Sequence, residues 1–590
     1  MPTITINGVP CAFTPGQTVL QVATANRLDI PQYCYHDALS IVASCRICLG
    51  EMWAPNPRAG NTLEPYMGGK LMPTCQTQAV DGMVVRTDSP KSVANQKGVM
   101  EYLLINHPLD CPVCDQSGEC FLQDYSYEYG RGVSRFEEQK VKQPKKDLGP
   151  HVYLYADRCI MCSRCVRFTR EVTGTAELMI LGRGNKSEID VFPGVPLDNE
   201  LSANVIDLCP VGALLDKDFL FQQRVWFLRR TPSLDGLTAS GDNLWIEHNE
   251  GRIYRLKPRE NMAVNKWWIT DEVRYGWKHV HGDARLRSPS ARRMGLLEEC
   301  DYTRAYDTAI AGLRDVVKAG TRVAVMVSPM LSCEEAYLLA TLARQVDAQA
   351  ILAIGPVPKQ GEDRLYPRGA KDGDARAFKV YAEKAPNARG VRRVLTAFGG
   401  TVLEFDAACE RFGKPDVGAV IVTGNYPSAW ATPRLKNALG KAGSGRCTIL
   451  IDTLWSDLFE HADIVLPGAT WAEKAGTFEN ARGMIQAFEQ AIPVIELAKS
   501  EGQLALDLIA EWTGESQTPL AAVREIIVDE QPGMVPAGVV VPVPVGRLFN
   551  AAGIRQEMAT THASLGVFTT DVSLPAVEAS QAPDVQMVEL

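Results

Sequence analysis

The chain has no stretch approaching the roughly 18 consecutive apolar residues that a membrane-crossing helix requires. Its amino end, "MPTITINGVPCAF", also lacks a basic segment ahead of an apolar core. Neither a spanning segment nor a secretory leader is expected, which leaves a soluble chain or one held at a membrane by partners. Charge sums to only −9 over 590 residues, with Lys and Arg scattered, and this excludes the concentrated basic face that grips nucleic acid. No G-x-G-x-x-G follows a strand and opens a helix, and the Gly182-Arg183-Gly184 stretch is too weak a signal, so dinucleotide and flavin sites are expected elsewhere. Histidine is scarce, at eight residues, and cysteine is missing altogether between Cys209 and Cys300.

What the chain does have is cysteine in groups. Sixteen are present, and eleven fall between Cys34 and Cys209. Cys34, Cys45, Cys48 and Cys75 form C-x10-C-x2-C-x26-C. His107, Cys111, Cys114 and Cys120 form H-x3-C-x2-C-x5-C. Cys159, Cys162 and Cys165, in "CIMCSRC", are completed by Cys209 in "CPVGAL". A long chain without a leader keeps its thiols reduced, which points to the cytoplasm and to metal rather than disulfides. Four thiolates, or three with an imidazole, suit structural zinc or an iron–sulfur cluster. A zinc ribbon fits the first group poorly, because a ribbon wants two C-x2-C knuckles and only one is present. Cys11, outside the pattern, reads as a strand residue packed in a core.

Length and a 46% hydrophobic content predict three or four domains. Residues 3–6 and 9–13 flank Asn7-Gly8, a two-residue hairpin signal. Thr18 is placed to cap a helix over "VLQVATANR", and Pro31 turns the chain into the loop that carries Cys34. Apolar residues at helical spacing run from residue 92 to Asn106 and leave His107 at a helix end, with Cys111 and Cys114 in the turns beyond. Residues 131–150 are charged and read as a solvated connector. Residues 231–276 alternate polar and apolar side chains around Asp242-Asn243 and Asn249-Glu250-Gly251, which predicts a small antiparallel β-unit. From 300 to 515, short β-branched runs alternate with amphipathic helices, the pattern of a parallel sheet. The end of the chain is rich in Val, Pro and Ala, and reads as a docking arm or a loosely ordered tail.

Hairpin, helix and cysteine loop, in that order, resemble the β-grasp fold of plant-type [2Fe-2S] ferredoxins, with ten residues rather than four between the first two cysteines. That longer spacing, together with "HPLDCPVCDQSGECFLQDYSYEYG", resembles the large iron–sulfur subunit, of 75 kDa type, in respiratory complex I, NADH:quinone oxidoreductase. "RCIMCSRCVRFTREVTG" resembles a bacterial ferredoxin motif with Thr169 where a further cysteine would stand. "ADIVLPGATWAEKAGTFENARGMIQ" is similar to the pterin-dinucleotide region of molybdenum enzymes.

The resemblance implies a multidomain α+β and α/β protein. Its parts are a β-grasp [2Fe-2S] domain (1–90), a helical His/Cys [4Fe-4S] domain (91–135) and a ferredoxin-like [4Fe-4S] domain (136–222). A molybdopterin-oxidoreductase-like β-unit without a cluster (223–299), a vestigial α/β domain of the same kind (300–520) and a tail (521–590) follow. It also implies the ligand sets: Cys34, Cys45, Cys48 and Cys75 for one [2Fe-2S] cluster, His107, Cys111, Cys114 and Cys120 for a [4Fe-4S] cluster, and Cys159, Cys162, Cys165 and Cys209 for another. No molybdenum, FMN or NAD is expected on this chain, and Cys333 reads as a core residue. The implied role is to relay electrons from NADH and flavin on a partner subunit toward quinone, as an enzyme subunit without a complete active site. It would sit peripherally on the cytoplasmic side of the inner (plasma) membrane, with no span of its own and no nucleic acid. By the same resemblance, the His107 cluster and then the Cys159 cluster are expected on the main path, with the [2Fe-2S] centre near the flavin. Two rivals are an electron-transfer subunit of a soluble NAD-linked hydrogenase or formate dehydrogenase, and a zinc-stabilised scaffold.

Overall fold

The computed structural model describes residues 1–515 and 545–575. They form two compact units, residues 1–228 with 365–377, and residues 229–364 with 378 onward. Segment 365–377, expected within the α/β domain, clusters instead with the cysteine-rich unit. Its backbone is tied there by Arg368 N–H donating to the Val172 carbonyl at 2.9 Å.

The first unit opens with β1 (Thr3–Ile6) and β2 (Val9–Ala12), paired antiparallel with Ile6 opposite Val9. Asn7 and Gly8 both take positive φ, +50° and +86°, as a two-residue turn of this twist requires. Helix α1 (Val19–Ala25) begins where expected. The Thr18 hydroxyl accepts from Gln21 N–H while the Gln21 side chain accepts from Thr18 N–H, and the helix buries Val19, Leu20, Val22 and Ala23. Strands β3 (Leu49–Asn56), β4 (Thr62–Pro65), β5 (Met72–Pro73) and β6 (Val84–Arg86) complete a mixed sheet in the order β2-β1-β6-β3-β4, with β5 beside β3. Strands β1 and β6 run parallel, and β6 and β3 antiparallel. Cys11 is fully buried in this domain's core with Ile4, Ile6 and Val85.

Helix α2 (Pro90–Leu104), capped by Ser89, ends three residues before His107, and α3 (Phe121–Tyr129) starts directly after Cys120. Beyond them, strands Lys145–Asp147, Val152–Tyr155 and Leu214–Asp216 form a three-stranded antiparallel sheet. The connector expected over 131–150 therefore ends in an edge strand, with Leu148 buried. Helix α4 (Arg164–Glu171) packs near the short helix Asn204–Leu208 that leads into Cys209.

The second unit begins with the expected antiparallel sheet, Arg229–Leu234, Asn243–Asn249 and Arg252–Pro258. Its first connection is a buried loop, 235–242, rather than a tight turn at Asp242-Asn243, because Asp235 accepts hydrogen bonds from Leu237 N–H, Thr238 N–H and the Thr238 hydroxyl. The main sheet holds five parallel strands, in the order Ile464–Pro467, Cys447–Asp452, Val417–Thr423, Arg322–Val327 and Ile351–Ile354, with antiparallel Ser290–Arg293 and Leu296–Glu299 at one edge. Part of the segment read as a tail is built into this unit: helix Ala551–Thr561 buries Ile554 and Met558 in the core. The rest of that reading, residues 521–544 and 576–590, lies outside the described residues.

Candidate metal centres

The first cysteine set occupies the loop between α1 and β3, plus the turn after β5. Cys34, Cys48 and Cys75 are buried and Cys45 is partly so. Ala43 and Arg46, on either side of Ser44-Cys45, take left-handed φ of +48° and +59°, folding the backbone around the sulfurs. The thiols meet in two pairs. Cys34 and Cys45 act most strongly on each other, and so do Cys48 and Cys75. The Cys34 thiol falls to about 5, chiefly because Cys45 donates to it, and main-chain N–H groups of Cys45 and Ser44 add to this. Cys48 falls to about 7 through Cys75, against the opposing effect of burial. Cys45 and Cys75 are pushed up, first by donating to their partners and then by burial.

In the second set, Cys111 lies exposed in a turn (Cys111–Val113), whereas Cys114 and Cys120 are buried. Burial lowers the His107 imidazole to about 4, with Arg158 and Lys140 adding to the effect, so the ring is neutral at pH 7 and able to offer a lone pair. Arg158 also acts on Cys114. It is 2% exposed, bonded to Asp110 at 2.8 Å, and stacked on Tyr155. Gly212 packs against the Cys114 sulfur so closely that a Cβ there would stand 2.3 Å from it.

The third set is gathered in one place. Cys159, Cys162, Cys165 and Cys209 line a single cavity together with Leu154, Ile189, Val211 and Leu214. Met161 and Ser163, which alternate with the cysteines, have φ of +53° and +59°, and Met161 N–H donates to the Cys159 sulfur at 3.4 Å. Burial raises all four thiols, Cys162 to about 11. Thiols in so apolar a pocket deprotonate only against a strong compensating charge, such as a bound metal. Thr169, at the position of the missing ferredoxin cysteine, is buried inside α4 and bonded to the Val166 carbonyl at 3.1 Å.

Among the described residues, no group of three or more His, Cys, Asp and Glu side chains meets the geometry of a single-ion site. The sequence reading missed Arg158, Arg164 and Arg167, buried guanidiniums beside the sulfurs. The only available signal was their place within "DRCIMCSRCVR".

Comparison with known proteins finds family matches along most of the chain. Family models match residues 1–90 (2Fe-2S iron-sulfur cluster binding domain), 96–135 (NADH-ubiquinone oxidoreductase-G iron-sulfur binding region) and 149–215 (NADH-quinone oxidoreductase subunit 3, ferredoxin-like domain). Two more match 228–278 (NADH-ubiquinone oxidoreductase NDSU1/NuoG-like, 4Fe-4S domain) and 406–510 (Molybdopterin oxidoreductase). The chain is thus an iron–sulfur protein in which 2Fe-2S and 4Fe-4S domains precede a molybdopterin-oxidoreductase-like region of mixed α/β structure.

The G subunit of NADH-quinone oxidoreductase from Rickettsia felis is 36% identical over 344 residues, 58% of this chain and 49% of the relative. The mitochondrial NADH dehydrogenase [ubiquinone] iron-sulfur protein 1 of Solanum tuberosum is 42% identical over 288 residues, 49% of this chain and 37% of the relative. The 78 kDa subunit of Neurospora crassa NADH-ubiquinone oxidoreductase is 28% identical over 669 residues, 95% of this chain and 87% of the relative. Over these stretches the chain is similar to the large iron–sulfur subunits of NADH-quinone and NADH-ubiquinone oxidoreductases. Except for the Neurospora protein, these matches span about half or less of the relative's length. A solved chain of an NAD+-reducing [NiFe]-hydrogenase is 30% identical, covering 38% of this chain and 91% of that one at a TM-score of 0.33.

Proposed function

We propose that the chain is a peripheral-arm subunit of a proton-pumping NADH:quinone oxidoreductase. It would relay electrons, received from NADH and flavin on a partner subunit, through one [2Fe-2S] and two [4Fe-4S] clusters toward quinone on others. The observation that carries this reading is the donor arrangement: four cysteines around one apolar cavity in the third set, and four thiols of the first set that perturb one another in two pairs. Two pairs suit two irons that each take two thiolates, which supports Cys34 with Cys45 on one iron and Cys48 with Cys75 on the other. Strand order β2-β1-β6-β3-β4 packed on α1 supports a β-grasp domain over 1–90. Bound clusters would supply one-electron redox steps. The chain itself places the sulfurs, keeps water from most of them and offers N–H groups such as that of Met161.

Packing within the first unit supports an order different from that expected by resemblance. The Cys159 set lies next to both others. Arg167 donates to the Cys34 carbonyl, and Phe121 N–H donates to the Pro210 carbonyl at 3.1 Å. The path favoured here runs from the [2Fe-2S] set through the Cys159 set to the His107 set.

No fourth cluster is proposed. The 4Fe-4S model matching 228–278 falls on a segment without cysteine, where the loop 235–242 is held by the hydrogen bonds of Asp235. The α/β region is proposed as a scaffold without a pterin. At the carboxyl ends of Val417–Thr423 and Cys447–Asp452, where such a sheet ordinarily receives a ligand, the chain's own side chains bond to one another. Asn425 bonds to Glu501 and to the Ala469 carbonyl, and Asp452 to Trp430. No helix among the described residues is long and apolar enough to cross a membrane, so attachment is assigned to partner subunits.

Anaerobic metal and sulfide analysis of the purified chain tests the reading. About ten irons with matching labile sulfide are expected from the three ligand sets. Stoichiometric zinc without iron would end it.

A further inference from the structure

Helix α4 carries Arg164 and Arg167 on either side of Cys165, each only 6% exposed. A guanidinium withdrawn from water ordinarily meets a carboxylate, because desolvation costs several kcal/mol that only an opposite charge offsets. Neither arginine has one among the described residues. Arg164 donates to the carbonyls of Tyr35 at 2.5 Å and Leu208 at 3.4 Å, and its Nε has no partner. Arg167 donates to the carbonyls of Ser40 at 2.5 Å, Cys34, and Cys162 at 3.4 Å, and to the Ser163 hydroxyl at 3.3 Å. The nearby carboxylate of Glu171 is engaged by Ser40 instead. His36 faces both cations and is held neutral by burial and by them.

The carbonyls are not random ones. Cys34 and Tyr35 lie in the first ligand loop, Cys162 is itself in the third set, and Leu208 precedes Cys209. The two cations therefore stand between the Cys34 set and the Cys159 set, and among the described residues no carboxylate bonds to either. Four thiolates bring four negative charges, more than a two- or four-iron core offsets, and reduction adds one more. A fixed buried cation favours the reduced form.

We propose that Arg164 and Arg167 are positioning residues that act as a shared counter-charge for the centres of the Cys34 set and the Cys159 set, holding both reduction potentials up. This rests on the reading that both sets hold clusters. The His107 set has its own buried guanidinium, Arg158, and is expected to respond less than the other two.

The test is potentiometric titration of the full cluster-loaded chain, followed by low-temperature paramagnetic resonance, for wild type, Arg164→Gln, Arg167→Gln and the two Lys variants. Iron and sulfide are assayed first, and a wild-type chain without them defeats the underlying reading rather than this inference. With clusters present, each Gln variant is expected to reduce the equilibrium constant for reduction of both centres at least tenfold, which is about 59 mV lower for a one-electron couple. The Lys variants should recover most of that loss, and the His107 centre should stay in place. Unmoved potentials in iron-replete Gln variants overturn the proposal. So does an equal shift of all three centres, or loss of iron from both Gln variants, which would assign the arginines to framework alone.

Discussion

The ammonium of Lys474 lies 2.6 Å from Glu501 and 2.9 Å from Glu335, with none of the three side chains more than 2% exposed. This buried triad joins the helix Cys333–Val346, the helix Glu501–Thr513 and the turn before strand Gly476–Glu479. Two carboxylates on one ammonium leave an excess negative charge, and the Glu501 carboxyl is accordingly raised to about 8, by burial first and by Glu335, against the pull of Lys474.

Removing the cation should therefore cost far more than removing one of its partners. Lys474→Met is expected to destabilise the second unit by about 3–5 kcal/mol. Adding Glu501→Gln to that variant should recover part of the loss. Urea unfolding followed in a double-mutant cycle reads both values, and strict additivity would contradict the arrangement.

Asp452 gives a pH signature. Burial raises its carboxyl from the ordinary 3.8 to about 6, although Asn425 N–H, Thr453 N–H and the Trp430 indole all donate to it. Between pH 4 and 6 the folded chain keeps a proton that the unfolded chain has released, so stability falls as pH rises through this window and levels off above it. Asp452→Asn cannot titrate. The stability difference, wild type minus variant, should shrink by about 2 kcal/mol between pH 4 and 6. A difference that widens with pH would show the sign to be wrong.

His107→Ala should remove or alter one [4Fe-4S] resonance while the [2Fe-2S] signal stays. An unchanged spectrum would show that His107 is not a ligand.

Gly212→Ala probes the packing of the second set from outside it. A methyl at this position meets the Cys114 sulfur at 2.3 Å and the Gln116 Cβ at 3.1 Å. The variant is expected to lose the His107 centre, with iron falling from about ten toward about six per chain. Full retention of iron would mean that Cys114 can move away freely.

Local chemistry made much of this legible in the sequence. The Asn7-Gly8 turn, the Thr18 cap and the close spacing of Cys159, Cys162 and Cys165 are each set by residues a few positions apart. What stayed hidden depends on contacts between distant segments. Nothing near Arg164 announces that it will reach the Tyr35 carbonyl 129 residues earlier. Nothing in 365–377 shows that it joins the cysteine-rich unit. Helix Ala551–Thr561 was obscured for a different reason: its two buried residues, Ile554 and Met558, sit between Val/Pro-rich stretches whose composition dominated the reading.

That helix has a consequence for how the chain is made. Arg555 reaches back to Glu334, completely buried, at 2.8 Å, so the second unit stays incomplete until residue 555 has left the ribosome. The first unit waits in a similar way for 365–377. During synthesis the thiols of Cys34 to Cys209 thus emerge long before the segment that finishes their own unit. Iron delivered at that stage would meet a partly open polypeptide rather than a sealed one.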